Sequence, residues 1–269
     1  MPGHSPDTSM NLLRLPPWIF GIIVVTTFVV LAIGGLFVFQ LLARGRLRLV
    51  EHLNNQVIFF ASMIGMFYSL TAGMIAVGVW TSYRNAENVV SSEATAIGCL
   101  YRDVTGYPEP AKTQMQIEIR AYVDFLLNRA WPLQRQGLPT DEATRMLTNL
   151  EHLLVQFEPT TSGQQILHSQ VMTQYNQVAA LRRQRLNAIG GGLPSVMWSV
   201  VLIGAFLTIT ITYLLDINRK LHFILTGFLS MFIGLVVFVI ASLDRPLSGP
   251  LAIDSHSYQL VLDRLIDLK

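Results

Sequence analysis

The chain has 269 residues, 51% of them hydrophobic and only 13% charged, with a net charge of +2 and a mean hydropathy of +0.45. Soluble domains carry about 25% charged residues, so the composition excludes an ordinary soluble domain, and the near-neutral balance offers no surface for nucleic acid. The single cysteine, Cys99, excludes an internal disulfide, and His4, His52, His152, His168, His222 and His256 never fall at metal-ligand spacing, so no metal site and no cofactor are expected.

Residues 1–17 mix Pro2, Gly3, Pro6, Pro16 and Pro17 with small polar residues and are expected to form a disordered tail. Trp18 to Leu42 is uncharged and longer than the apolar core of a signal peptide, about 7–15 residues. The following Ala43-Arg44-Gly45-Arg46 does not resemble a cleavage site. This run reads as a retained transmembrane helix, since about 20 apolar residues cross the hydrocarbon. A loop with Arg44, Arg46 and Arg48 leads to a second span, Val57 to Thr81. There Ser62, Gly65, Ser69, Ala72, Gly73 and Ala76 recur every three or four residues and make one face of small side chains. Phe60, Met63, Phe67, Leu70, Met74 and Val77 make a bulky face. Small faces let helices approach closely in lipid; the other reading is a pore wall with room for an ion.

The helical period continues past Thr81 through Ala86, Val90, Ala94, Ile97 and Tyr101, so one helix is expected from Val57 to Asp103, about 70 Å at 1.5 Å per residue. Gly106, Pro108 and Pro110 end it. Three more helical patterns complete an extramembrane domain over residues 82–192. The first runs from Lys112 to about Gln134, where Pro132 should end or kink it after Trp131. The second opens at Pro139-Thr140, with Asp141 and Glu142 in a first turn that suits acids. The third runs from about Gln164 to Ala188, with Leu167, Val171, Tyr175, Val178 and Leu186 as its stripe. No segment alternates with the period of a strand.

Gly190-Gly191-Gly192 and Pro194 precede a third span, about Leu193 to Leu215, with Trp198 placed as an interfacial residue. Asp216 to Lys220 is a tight turn, and a fourth span follows from about Leu221 to Leu243. Asp244-Arg245-Pro246 is expected to end it by local hydrogen bonding. Residues 244–269 finish in an amphipathic helix from about Ser255, with Tyr258, Val261, Leu262, Leu265 and Leu268 on one side. That helix suits either the membrane surface or the extramembrane helices. Arg44, Arg46, Arg48, Arg219 and Lys220 crowd the two short loops. Positive loops are cytoplasmic, which places the domain of residues 82–192 outside, although Arg182, Arg183 and Arg185 before the third span argue the other way.

No span holds an ionisable residue in its interior, which argues against proton relays, voltage sensors and ion-coupled carriers but suits an uncharged pore. Glu93 lies about as far past the second span as Arg182 and Arg183 lie before the third, so a Glu93 ion pair with one of them is expected. Alternatively Arg182, Arg183 and Arg185 form a positive ring that selects anions. Arg84 and Glu87, nearest the membrane, raise the same choice. Asp254-Ser255-His256 lacks the strand-turn-helix context of a hydrolase, and no catalytic constellation is visible, so an enzyme is not expected.

Glu93-Ala94 with Tyr101-Arg102, Trp131-Pro132, Arg182-Arg183 with Arg185-Leu186, Leu193-Pro194 before Trp198, and Leu243-Asp244-Arg245-Pro246 with Gly249 occur in an order that resembles the bacterial four-span membrane family named for its bestrophin-like domain. Bestrophins are four-span pentameric anion channels with a helical region between their second and third spans. Their calcium clasp has no counterpart here in an acidic cluster. The resemblance implies an all-α integral membrane protein of the bacterial inner membrane with four transmembrane helices. It further implies a homo-oligomeric channel for small inorganic anions, with membrane lipid as its other partner. The alternative is a non-conducting scaffold or sensor whose projecting helices bind a partner.

Overall fold

The computed structural model describes residues 16–43, 54–138 and 140–266. Among them there is no strand. The helices are α1 (Pro17–Ala43), α2 (Asn54–Val104), α3 (Ala111–Phe125), α4 (Trp131–Gln134), α5 (Glu142–Gln156), α6 (Ser162–Ile189), α7 (Ser195–Thr212), α8 (Arg219–Leu243) and α9 (His256–Val261). Wide π turns occupy Leu126–Ala130 and Leu262–Ile266. The chain divides into two compact units at Thr81/Ser82 and Gly191/Gly192, and residues 245–248 and 252–269 belong with the second.

The first unit contains α1, the beginning of α2, α7 and α8, and these four helices are long and apolar enough to cross a membrane. Pro17, expected in a disordered tail, is instead the first residue of α1. Its missing N–H is no loss there, and its fixed φ suits a helix start. Residues 1–15 and the loop arginines Arg44, Arg46 and Arg48 lie outside the described residues. Close approach of α1 and α8 depends on Gly234, where an added Cβ would come within 3.1 Å of the Val25 Cα and 3.2 Å of the Phe28 Cβ. Phe20 and Phe238 meet at 6.0 Å along the same seam, and the Tyr213 hydroxyl donates to the Ala32 carbonyl at 2.7 Å. Ile22, Leu31, Phe67, Leu70, Phe206 and Phe232 are exposed, as lipid-facing side chains should be.

Several boundaries in this unit differ from the sequence expectation, among them the start of α2, at Asn54 and not Val57. Helix α7 starts at Ser195, two residues late, because Pro194 holds an extended ψ of 143°. It ends at Thr212, after which Tyr213, Leu214 and Leu215 donate back three residues in a tightened turn. Helix α8 takes in Arg219 and Lys220, because the Asn218 side chain caps it by accepting the Lys220 N–H at 3.0 Å.

The second unit packs the continuation of α2 with α3 to α6 and α9. Val90, Ile97, Leu100, Met115, Ile119, Val123, Leu150, Leu154, Val171 and Val178 are buried together. Pro132 does not end its helix. The turn widens over Leu126–Ala130 instead, with the Trp131 N–H donating to the Leu126 carbonyl. That places the slack just ahead of the proline, where its ring would otherwise strike a carbonyl. Helix α6 begins at Ser162 because Thr161 caps it, its hydroxyl accepting the Gln164 N–H at 3.2 Å while the Gln164 side chain accepts the Thr160 N–H at 2.8 Å. Helix α9 packs on the domain: Tyr258 and Val261 are buried in its core. Leu265 falls in the π turn, and Leu268 lies outside the described residues.

Candidate functional site

The small face of α2 divides in two. Ala72 is 3% exposed and lines a 230 Å³ cavity with Val201 and Gly204 of α7. Gly65 and Ala76 are half-buried, while Ser62, Ser69 and Gly73 are exposed. A Cβ added at Gly65 or Gly73 would meet nothing within 4 Å. The Ser62 hydroxyl donates to the Ile58 carbonyl at 2.8 Å and the Ser69 hydroxyl to the Met66 carbonyl at 2.9 Å. This is how hydroxyls are satisfied on an apolar helix, and the rotors can turn outward to meet a polar guest.

The helical domain holds a buried charge cluster. Glu93 of α2 is 0% exposed and Arg185 of α6 is 1% exposed. The guanidinium takes the carboxylate as a fork, with Nε to Oε2 at 2.6 Å and Nη2 to Oε1 at 3.1 Å. Its Nη1 donates to Oε1 of Gln134 on α4. The Tyr258 hydroxyl from α9 donates to Glu93 Oε2 at 3.0 Å, and the Tyr122 hydroxyl from α3 to Oε1 at 3.3 Å. The guanidinium carbon lies 5.7 Å from the Trp131 ring centroid and 5.9 Å from that of Tyr258, a distance at which a ring quadrupole attracts a cation. Five helices therefore meet at one ion pair.

Electrostatics and burial support that closure. Burial alone works against the Arg185 charge, but the Glu93 carboxylate and the Tyr258 and Tyr122 phenols outweigh it, and the guanidinium is held above its usual range. Burial pushes both phenols up; Glu93 pushes further in the same direction and Arg185 opposes it. Two phenolic donors and a bidentate guanidinium satisfy the buried carboxylate, and the Gln134 amide oxygen accepts the guanidinium's remaining nitrogen. A charge pair this far from solvent holds elements together and is not placed to meet an ion.

The expected pairing of Glu93 with Arg182 or Arg183 is therefore corrected: its partner is Arg185. Arg185 is also withdrawn from any solvent-facing ring. Arg182 donates from Nη2 to the Thr144 hydroxyl at 2.8 Å, and Arg183 is exposed. Arg84 and Glu87 pair with each other at 2.5 Å, with side chains 52% and 43% exposed, the geometry of a weak surface pair. A signal for Arg185 was present in the spacing: Val171, Tyr175, Val178, Arg182 and Arg185 step by four, three, four and three along one side of α6. An arginine on a buried stripe requires a buried acid, and Glu93 sits on the buried stripe of α2 beside Val90, Ala94 and Ile97. Gln134, Tyr122, Trp131 and Tyr258 carried no comparable mark.

Asp244 also departs from expectation. Its carboxylate does not bond locally; Oδ1 accepts the Leu193 N–H at 2.5 Å and Oδ2 the Trp198 indole N–H at 3.2 Å. One acid at the end of α8 thereby secures the start of α7, and Trp198 is held by a protein partner in the position expected for an interfacial residue.

Comparison with known proteins follows the same architecture. No curated protein matches the chain. Crystal structures of a bacterial bestrophin homolog from Klebsiella pneumoniae do. One point mutant superposes with a TM-score of 0.64 at 13% identity, covering 93% of this chain and 99% of that one. A second gives 0.62 at 13% identity, covering 91% and 97%. The form phased with zinc gives 0.59 at 15% identity, covering 91% and 97%. At such identities the likeness is one of fold. The family model described as "Bestrophin-like domain" matches residues 26–258. With four membrane-length helices and that match over most of its length, the chain is a multi-pass membrane protein belonging to the bestrophin-like family.

Proposed function

We propose that the chain assembles into a homo-oligomeric channel of the bacterial inner membrane that conducts small inorganic anions and is not an enzyme. The observation that carries this reading is the exposed face of Ser62, Ser69 and Gly73 on α2, in a unit whose described spans hold no Asp, Glu, Lys or Arg in their interior and whose buried histidine, His222, lies in the first turn of α8. Such a face has room for a hydrated ion and hydroxyls to turn toward it, and family membership supports the same plan. Small residues at Gly65 and Ala76 would serve the approach of neighbouring copies. Arg183, the exposed member of the arginine group, would supply a positive field at the vestibule.

Purified protein in liposomes is expected to pass chloride when voltage, pH and calcium are varied. No flux under any of these conditions overturns the reading. Ser69→Leu should reduce the flux by filling the face, and Arg183→Glu should shift preference away from anions. An unchanged preference removes the vestibule part alone. The domain of residues 82–192 would lie outside the cytoplasm, as the loop arginines indicate; a cytoplasm-active reporter fused at Thr160 should then be silent.

A further inference from the structure

The helical domain contains a second feature, separate from the Glu93–Arg185 cluster. A cleft of 430 Å³ opens between the outer side of α2 and the C-terminal helix with its π turn. Arg102 and Arg264 both line it, and among the described residues no acidic one does. Ser91, Thr95 and Ser257 bring hydroxyls to its wall, while Ala94, Leu260 and Val261 make the remainder apolar. The Thr95 hydroxyl donates to the Ser91 carbonyl at 2.9 Å. Arg102 touches the Asp103 carboxylate at 3.3 Å through Nε and Nη2, which leaves Nη1 for another acceptor. Its side chain is 70% exposed, so this contact is weak.

Two guanidiniums, hydroxyls and an apolar wall in one cleft define a ligand by chemistry. The guanidinium fork matches a carboxylate or phosphate, and the volume lies in the range of small-molecule sites, about 300–1,000 Å³. The apolar wall would be left wet by a bare inorganic ion. We infer that this cleft binds an amphiphilic anion, one oxyanion head on a short apolar body, with Arg102 and Arg264 holding the head and Ala94, Leu260 and Val261 the body. A free organic acid and an anionic lipid share that chemistry. Because α9 forms one wall, the ligand would hold the C-terminal segment on the domain, whether or not the spans conduct.

The chain supplies its own reporter, since Cys99 is its single cysteine and lines this cleft. Full-length protein in micelles is treated with a maleimide alone, then with hexanoate, hexyl phosphate, inorganic phosphate or hexanol. It is treated again in nanodiscs of phosphatidylcholine with or without phosphatidylglycerol. Hexanoate or hexyl phosphate well above its Kd should slow labelling on the order of tenfold, the ratio mass action gives. Protection in phosphatidylglycerol nanodiscs identifies the lipid as a source; protection by the soluble anions identifies a free acid. Arg102→Gln and Arg264→Gln should each remove protection, and lysine at either place should keep part of it. Both arginines are exposed, and near-ultraviolet circular dichroism checks that the variants remain folded. Equal protection by hexanol, protection that survives both glutamine changes, or no protection by any anion overturns the proposal. So does a Cys99 that is unreactive in the ligand-free oligomer and reactive after dissociation, because a neighbouring copy would then fill the cleft.

Discussion

The membrane unit and the helical domain treat polar side chains in opposite ways. In the spans, hydroxyls turn back on their own helix: Thr27 onto Ile23, Thr71 onto Phe67, Thr208 onto Gly204 and Thr210 onto Phe206. In the domain, Glu93 draws partners from 29, 92 and 165 residues away. The difference follows from the driving force. Lipid is as apolar as the helices, so burying leucine against leucine gains little there and each helix satisfies itself. Apolar burial drives the domain together, and a buried charge pair then penalises any packing that separates its members. Asp244 and Tyr213 are exceptions that test the contrast, since the Asp244 carboxylate ties the start of α7 to the end of α8 and the Tyr213 hydroxyl reaches the Ala32 carbonyl of α1.

The largest expected effect comes from breaking the pair on one side. Arg185→Met leaves the Glu93 carboxylate buried and unpaired, a change that costs about 3–5 kcal/mol. The domain's thermal transition should fall steeply, and a second change, Glu93→Leu, should recover much of it. A variant that unfolds at the parental temperature would show that the pair does not hold the domain. Next in size is Asp244→Ala, which strands the Leu193 and Trp198 N–H groups at about 1–3 kcal/mol in all. Its loss should appear as faster proteolysis near residues 190–195.

A glycine pair sharpens the comparison further. An alanine at Gly204 would bring its Cβ to 2.6 Å from the Tyr68 ring, an overpacking worth about 1–3 kcal/mol, so Gly204→Ala should lower the melting temperature. Gly73→Ala has open space within the protomer. It should leave protomer stability within about 0.5 kcal/mol, and any change in oligomeric state on size exclusion then reports a neighbouring copy at that face.

The smallest effect is on pH dependence. Tyr122 and Tyr258 are held above the ordinary phenol value in the folded domain, and Tyr175 is pushed up to about 12 by burial and then by Glu151. Unfolded chains therefore ionise first as pH rises. Their contribution is complete below about pH 10 and is lost above it as the folded values are approached. Urea midpoints should fall across that window, and Tyr258→Phe should flatten the slope. A slope unchanged in the variant would remove Tyr258 from this account.

Much of the fold was legible because its signals are local. Uncharged runs long enough for a bilayer give the spans, and the unbroken period from Val57 past Thr81 gives one helix to Asp103, where the structure has one from Asn54 to Val104. What stayed hidden depended on partners distant in sequence. Pro132 was expected to end or kink its helix, and a wide turn five residues long ahead of it absorbs the ring. Asp244 looked like a local cap, but its acceptors serve Leu193 and Trp198. Height above the membrane suggested Arg182 or Arg183 for Glu93; helix rotation decides for Arg185, because a few residues along a helix change the direction a side chain faces far more than its height.

By itself the sequence determined an all-helical chain with four membrane-length helices and a family resemblance carried by short motifs in order. Periodicity and hydropathy act within a helix, so one chain suffices to read them. Tertiary structure alone decided which arginine is buried, which phenols share its carboxylate, and that Ala72 is covered while Ser62, Ser69 and Gly73 are not. These depend on how rotated faces meet, and a buried charge is tolerable only where several helices bring it partners at once.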